Sequence, residues 1–446
     1  MRGPTDSIGL VVDRLTHVVR TISTAFRRDN REKLWSVATI LLAAGSGLYG
    51  IYTLGPIQEA LRIALGLSDN QISLLQGPIL YFPTIAASIP IGYIIDRYPR
   101  ARVLALFVAL QTGCILLSAV APNFSVMAIA RASVGVMSIA ILMTVCALVA
   151  DTVAAERRGR VFVFFGIAQV VASAGAFALG GKLLAHFGSE TEAWRYALGW
   201  LAAPLLPILG LCLWLPEPAS RSESKKTNSF RSVATQLWRY KAMLVPLAFG
   251  TTITGMGYSA ALIWATPIYT RSFELPPAEI GALMGGILLA GGILGPVLGG
   301  IFTDLAGRSG GPQRTMSLMI LLTFLQIPAG FFGVMPTVLL ACLLLVVFST
   351  IANMLSTVTL TLTTVAIPSE LLGVSFGVQN GIAVLFTGLS PVMVSQLASR
   401  AQAVSPIGSA LGMVCMATSL LGIVMFALGR RHFPRHPQTP RSGSVV

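Results

Sequence analysis

Charge is what this sequence has least of. Only 11% of its 446 residues are charged and 54% are hydrophobic, whereas a soluble domain carries about a quarter charged residues. Water is thereby excluded as the main solvent of the fold. Histidine is scarce as well. His17, His432 and His436 lie in the terminal segments and His186 stands alone near a loop, so no metal set and no nucleophile–base pair can be assembled. An enzyme is not expected, and neither is a metal or a cofactor. No glycine-rich phosphate loop followed by Lys-Ser or Lys-Thr occurs, which removes ATP as an energy source. The five cysteines, Cys114, Cys146, Cys212, Cys342 and Cys415, fall inside apolar runs without ligand spacing and are expected as small buried hydrophobes. No Asp or Glu sits deep in any of those runs.

What is present is length without charge. Crossing a hydrocarbon core of ~30 Å takes about 20 apolar residues, and twelve runs of that kind occur. They cover roughly 35–56, 71–95, 103–121, 124–149, 161–187 and 196–215, then 242–269, 280–303, 315–334, 337–367, 374–398 and 408–428. Backbone groups in lipid must be satisfied internally, so each run is expected to be a helix. The expected fold class is an all-α integral membrane protein of twelve transmembrane helices in two six-helix bundles, at 34–215 and 242–430. A polar linker at 216–241, containing Pro216 to Asn228, divides six spans from six. Residues 1–33 place Ile8, Val11, Leu15, Val18 and Ile22 on one side and Asp13, Arg14, His17 and Arg20 on the other, the pattern of an amphipathic helix lying on a membrane surface. A basic tail fills 431–446.

Lysine and arginine orient the chain, because cytoplasmic loops retain positive charge. The side holding both termini collects 25 of them. The other side has five, Arg62, Lys182, Arg195, Arg271 and Arg400, with Arg131 left inside a span. Both termini are therefore expected in the cytoplasm and the chain in the plasma (inner) membrane. The net charge of +14 is accounted for by topology and an anionic leaflet, so nucleic acid is not an expected partner. The bilayer and a small-molecule substrate are, with the chain as a monomer.

The two halves repeat. Gly92-Tyr-Ile-Ile-Asp96-Arg97-Tyr-Pro-Arg100 is matched 208 residues later by Gly300-Ile-Phe-Thr-Asp304-Leu-Ala-Gly-Arg308. Leu67, Ile72 and Gly77 match Leu275, Ile280 and Gly285 at the same offset, and Pro122, Glu156 and Gly159 match Pro336, Glu370 and Gly373 at 214. Parallel repeats of this kind are a transporter plan. The sequence resembles the major facilitator superfamily over about residues 34–430, with 92–102 resembling its loop between the second and third helices. Within it the chain is similar to the spinster-like group, through Gly66 to Gly77, Glu156-Arg157-Arg158-Gly159-Arg160, Trp194-Arg195 and Leu215-Pro216-Glu217-Pro218. Two landmarks of that group are missing. Ser46-Gly47 stands where the first helix has Asp-Arg, and Met137-Ser138-Ile139 where the fourth has Gly-Glu-Ala. The resemblance assigns proton coupling to those acidic positions. Gly175-Ala176 also stands where drug–proton antiporters have Gly-Pro.

Candidate gating residues follow from the repeat. Asp96, at the inner end of span 2, can pair with Arg97, Arg100, Arg157 or Arg160, or cap a helix of the other half; alternatively it and Asp304 only end their helices. Gly92, Glu156, Gly159, Arg308, Glu370 and Gly373 complete this set. Arg131 is the informative single charge, since an arginine near mid-helix costs roughly 2.5–3.5 kcal/mol on insertion scales. It is expected either to face a cavity and attract an anionic or carbonyl-rich group, or to bond backbone carbonyls. Further cavity candidates are Ser46, Tyr49 and Tyr52 in span 1, Gln169 in span 5, Tyr258 and Trp264 in span 7, Asn353 in span 10, and Gln379 and Asn380 in span 11, each with helix packing as its alternative. The resemblance implies that helices 1, 4, 7 and 10 line the path. The expected function is uncoupled or facilitative transport of a small anionic or amphipathic organic solute by alternating access. Proton-coupled efflux through Asp151 or Glu156 is one alternative, and a non-transporting sensor or scaffold another.

Overall fold

The computed structural model describes residues 31–188, 192–218 and 235–433. The amphipathic segment before residue 31, most of the 216–241 linker and the tail after 433 lie outside the described residues. Within them the chain is helical, with no strand.

The first half comprises α1 (Arg31–Tyr52), the short α2 (Gln58–Ala64), α3 (Asp69–Gln76), α4 (Pro78–Arg97), α5 (Arg100–Ala119), α6 (Phe124–Thr152), α7 (Ala155–Phe187), α8 (Ala193–Trp200) and α9 (Leu205–Leu213). The second comprises α10 (Lys241–Phe273), α11 (Pro277–Ala329), α12 (Val338–Ala366), α13 (Ser369–Ala398) and α14 (Pro406–Arg430).

Local chemistry sets the starts and breaks. Gly66 takes a left-handed turn, φ 60°, into a capping box: Ser68 Oγ accepts from the Gln71 backbone and Gln71 Oε1 accepts from the Ser68 backbone. The second expected span is broken at Gly77-Pro78 into α3 and α4, because proline brings no N–H to continue the ladder. The sixth is broken into α8 and α9 by the turn ending at Pro204. Within α11, spans 8 and 9 are two helices that part at a kink where Gly310 and Gly311 leave helical geometry and Gly311 takes φ 66°.

The duplication extends to the caps. Asn123 caps α6 by accepting from Val126 N, and Thr337 caps α12 by accepting from Leu340 N, 214 residues later. Both helices run 29 residues.

Eleven stretches among the described residues are long and apolar enough to cross a membrane. The expected seventh span, α10, is long enough but is not among them. Threonines and serines such as Thr251, Thr252, Thr254 and Ser259 lower its hydropathy, and the helix can carry them because much of it is buried by protein.

Candidate functional site

The α11 arm from Pro277 packs on α7, and α13 packs on α3 and α4, which joins the two halves. Small residues permit the approach. A Cβ on Gly181 would overlap the Pro277 carbonyl oxygen, and one on Gly77 would overlap that of Gly388.

Between the halves lies a cavity of about 290 Å³. Its first-half wall comes from the end of α1 and the α3–α4 break: Ile51, Tyr52, Gln76, Leu80 and Tyr81. The second-half wall comes from α10, α12 and α13, with Thr254, Tyr258, Asn353, Ser356 and Thr387 carrying the polar groups. A second cavity of about 460 Å³ shares Thr251, Gly255, Ser356 and Thr387 with the first and continues past Gln379 and Asn380 toward the end of the molecule that holds Asp96. Among the described residues, neither wall carries an acidic or basic side chain.

At the opposite end the halves are tied together. Gln58 Nε2 donates to the Ile263 carbonyl at 2.8 Å, and the hydroxyls of Ser73 and Ser395 pair at 3.0 Å. Beyond them, Arg271 on α10 reaches both Glu59 (2.8 and 3.1 Å) and Asp69 (2.7 and 2.9 Å) of the first half. Arg62 donates to Glu59 at 2.8 Å as well, so two carboxylates and two guanidiniums form one latch. Composition alone could not find it: these charges are ordinary loop residues until α10 brings Arg271 beside α2 and α3.

The expected cavity residues separate. Tyr52, Tyr258 and Asn353 come together on the first cavity, Gln379 and Asn380 on the second. Arg131, Ser46, Tyr49, Gln169 and Trp264 stand off both walls. Arg131 is 1% exposed and donates to the carbonyls of Gly50 (3.3 Å) and Ile51 (2.9 Å). That answers the cost of its charge with the unpaired end of α1. Tyr49 donates to the Leu201 carbonyl at 2.9 Å, Trp264 to that of Pro391 at 3.1 Å, and Ser46 to that of Ala43 at 2.7 Å. Each is taken up by packing. Gln76, Tyr81, Thr251 and Thr387 were missed; the one signal for Gln76 is its place beside the Gly77-Pro78 break.

The expected gating set lies at the Asp96 end. Asp96, 79% exposed, is 3.6 Å from Arg100, its own neighbour along the chain. Arg100 also donates to Asp151 at 2.6 Å, a carboxylate buried to 1% exposure. Gly92 is half-buried, while Arg97, Arg157, Gly159, Arg160, Asp304, Arg308 and Gly373 are exposed. Glu156 and Glu370 occupy the second residue of α7 and α13. The group landmarks have structural work here. The Glu217 carboxylate accepts from the backbone N–H of Arg100 and Ala101 (2.6 and 3.0 Å), and Arg195, stacked on Trp194, donates to the carbonyls of Ala119 and Ala121 (3.1 and 2.8 Å). The two residues cap opposite ends of α5.

Two bundles around a wall without charges, fastened at one end, is transporter architecture, and the sequence comparison agrees. The Major Facilitator Superfamily profile matches residues 35–391. The chain belongs to that superfamily. It is a multi-pass integral membrane protein, not an enzyme. It is 22% identical over 266 residues to Protein spinster of Drosophila melanogaster, covering 57% of this chain and 43% of that one, so less than half of that relative's length is matched. It is 27% identical over 364 residues to the enterobactin exporter EntS of Escherichia coli K12, covering 78% of this chain and 81% of the exporter. A crystal structure of a bacterial homologue of the human lysosomal transporter spinster, inward-facing and unoccupied, matches at TM-score 0.78 and 15% identity over 93% of this chain and all of that one. At that identity the likeness bears on the fold.

Proposed function

We propose that this member of the superfamily is a secondary transporter that carries a small organic solute through the inter-half cavity by alternating access, without proton coupling. One observation carries the reading: a cavity between the halves is fastened at the Arg271 end and continues toward the Asp96 end. A transporter caught in one of its two states has this form.

The remaining assignments extend it. α10 is the seventh of twelve crossings, and the Asp96 end faces the cytoplasm because the positive loops collect there. The chain acts as a monomer in the plasma (inner) membrane. The described state is then open inward, and the outward-open state requires the Arg271 latch to part while Asp96 and its repeat partner Asp304 find partners across the halves. Arg131 braces the end of α1 behind the cavity wall. The amphipathic part of the expected solute fits a wall that is aromatic and aliphatic on one side and hydroxylated on the other.

The absence of coupling is supported by walls free of carboxylates and by Asp151, which is held by Arg100 at 2.6 Å. The test is solute flux in proteoliposomes of the full chain. Flux should persist when an ionophore collapses the proton gradient, and strict dependence on that gradient would refute the uncoupled form.

A further inference from the structure

Three of the four amides around the cavities, those of Gln76, Asn353 and Gln379, have a fixed sense. Asn353 Nδ2 donates to the Ser349 carbonyl at 2.9 Å and to Tyr258 Oη at 3.4 Å. A carboxamide has two N–H donors, so both are used and Oδ1 is left for the cavity. Gln76 donates to Gln58 Oε1, and Gln58 in turn donates to the Ile263 carbonyl at 2.8 Å. A backbone carbonyl can only accept, which orients the whole relay and leaves Gln76 Oε1 outward. Gln379 Nε2 donates to Ser375 Oγ (3.1 Å) and Thr363 Oγ1 (3.4 Å). Thr363 already gives its own proton to the Thr359 carbonyl at 2.9 Å, so toward Gln379 it accepts. Gln379 Oε1 again remains.

Thr254 on the first cavity repeats the pattern. It turns its hydroxyl proton back to the carbonyl of Gly250 or Thr251 (3.0 Å each), and its lone pairs stay available. Thr359 on the second is paired with the Thr251 hydroxyl at 2.6 Å. The hydroxyls of Tyr52, Tyr81 and Ser259 can serve in either sense.

We infer that the transported solute is uncharged and binds as a hydrogen-bond donor, a hydroxyl-bearing molecule with one apolar face, and that Gln76, Asn353 and Gln379 receive its hydroxyls through their side-chain oxygens. An anion would meet lone pairs with no cation on the wall. A cation would meet no carboxylate, with the Arg131 guanidinium bonded to the carbonyl of Ile51, a wall residue, directly behind. A neutral donor escapes both penalties. Its apolar face has the side formed by Ile51, Leu80, Leu262 and Ile263.

This rests on the transport reading, and the test separates the two. Binding to the purified full chain is measured for three matched sets, each a neutral hydroxyl compound, its phosphate monoester and its amino-deoxy analogue, built on phenyl glucoside, adenosine and inositol. A neutral member should bind tightest in at least one set. Asn353→Leu or Gln379→Leu should weaken it about tenfold, the worth of one hydrogen bond of roughly 1.4 kcal/mol. Asn353→Asp, which keeps an acceptor, should lose less than Asn353→Leu. A phosphate or amine member binding tightest in every set that binds, no binding in any set, or equal loss in the Asp and Leu variants would overturn the inference. Ser259→Cys in a background without the native cysteines reports separately on transport. If it can be labelled from only one face of the membrane under all conditions, the transport reading itself falls.

Discussion

Single residues of one chemical type have diverged into different duties here. Arg131 and Arg271 are both arginines near apolar spans. One bonds only carbonyls of α1 and the other only carboxylates of α2 and α3. Arg131→Ala would leave the Ile51 carbonyl without its donor, a loss of about 1–3 kcal/mol, while the Gly50 carbonyl keeps the Thr53 hydroxyl at 2.8 Å. The melting temperature of the purified protein should fall accordingly, with Arg131→Lys intermediate. If stability is unchanged while solute binding disappears, Arg131 is a binding residue and not a brace. Reading this from sequence was half possible. The cost of the charge demanded a partner, but whether carbonyl or cavity depends on how α6 packs against the end of α1.

Helices carry the next level of information, and their duplication was the most legible part. The Asp96 and Asp304 repeat, the matched caps Asn123 and Thr337, and the common length of α6 and α12 all express one duplicated plan. Helix interiors were harder, because the splits of spans 2 and 6 turn on local breaks at Gly77-Pro78 and before Leu205. α5 offers the cleanest check. With Glu217 at its N-terminus and Arg195 at its C-terminus, both favourable to the helix dipole, Glu217→Ala should destabilise the protein by about 1 kcal/mol, read as a drop in thermal midpoint. A midpoint unmoved by Glu217→Ala would show that the cap contributes nothing. Gly181→Val should be far more damaging, since its Cβ has no room against Pro277. Loss of folded protein on size exclusion is the expected outcome.

At the scale of the whole molecule the question is how two bundles move. The latch of Arg271 with Glu59 and Asp69 is partly exposed, so each pair contributes little by itself, about 0–1 kcal/mol. In the alternating-access mechanism proposed above, the network bridging the halves still biases which end is shut. Arg271→Gln should shift the population toward the state open at that end, on the order of tenfold for about 1.4 kcal/mol. The readout is faster modification of Ser259→Cys by an impermeant thiol reagent added from the Arg271 side; an unchanged rate would remove the latch from gating. Paired Ser73→Cys and Ser395→Cys, whose native hydroxyls are 3.0 Å apart, should cross-link on oxidation, stop flux and recover it on reduction.

The sequence by itself determined the solvent, the helices and the duplication, because these depend on apolar run length and offsets that are properties of order along the chain. It also determined which residues were unusual enough to need an explanation. Only the tertiary structure decided which of them meet: Tyr52 with Tyr258 and Asn353 around one cavity, Arg131 behind it, Arg271 across from Glu59. The physical reason is that a polar side chain in an apolar helix must find a partner, and whether that partner is a carbonyl, a carboxylate or a cavity is set by which helix face packs against which.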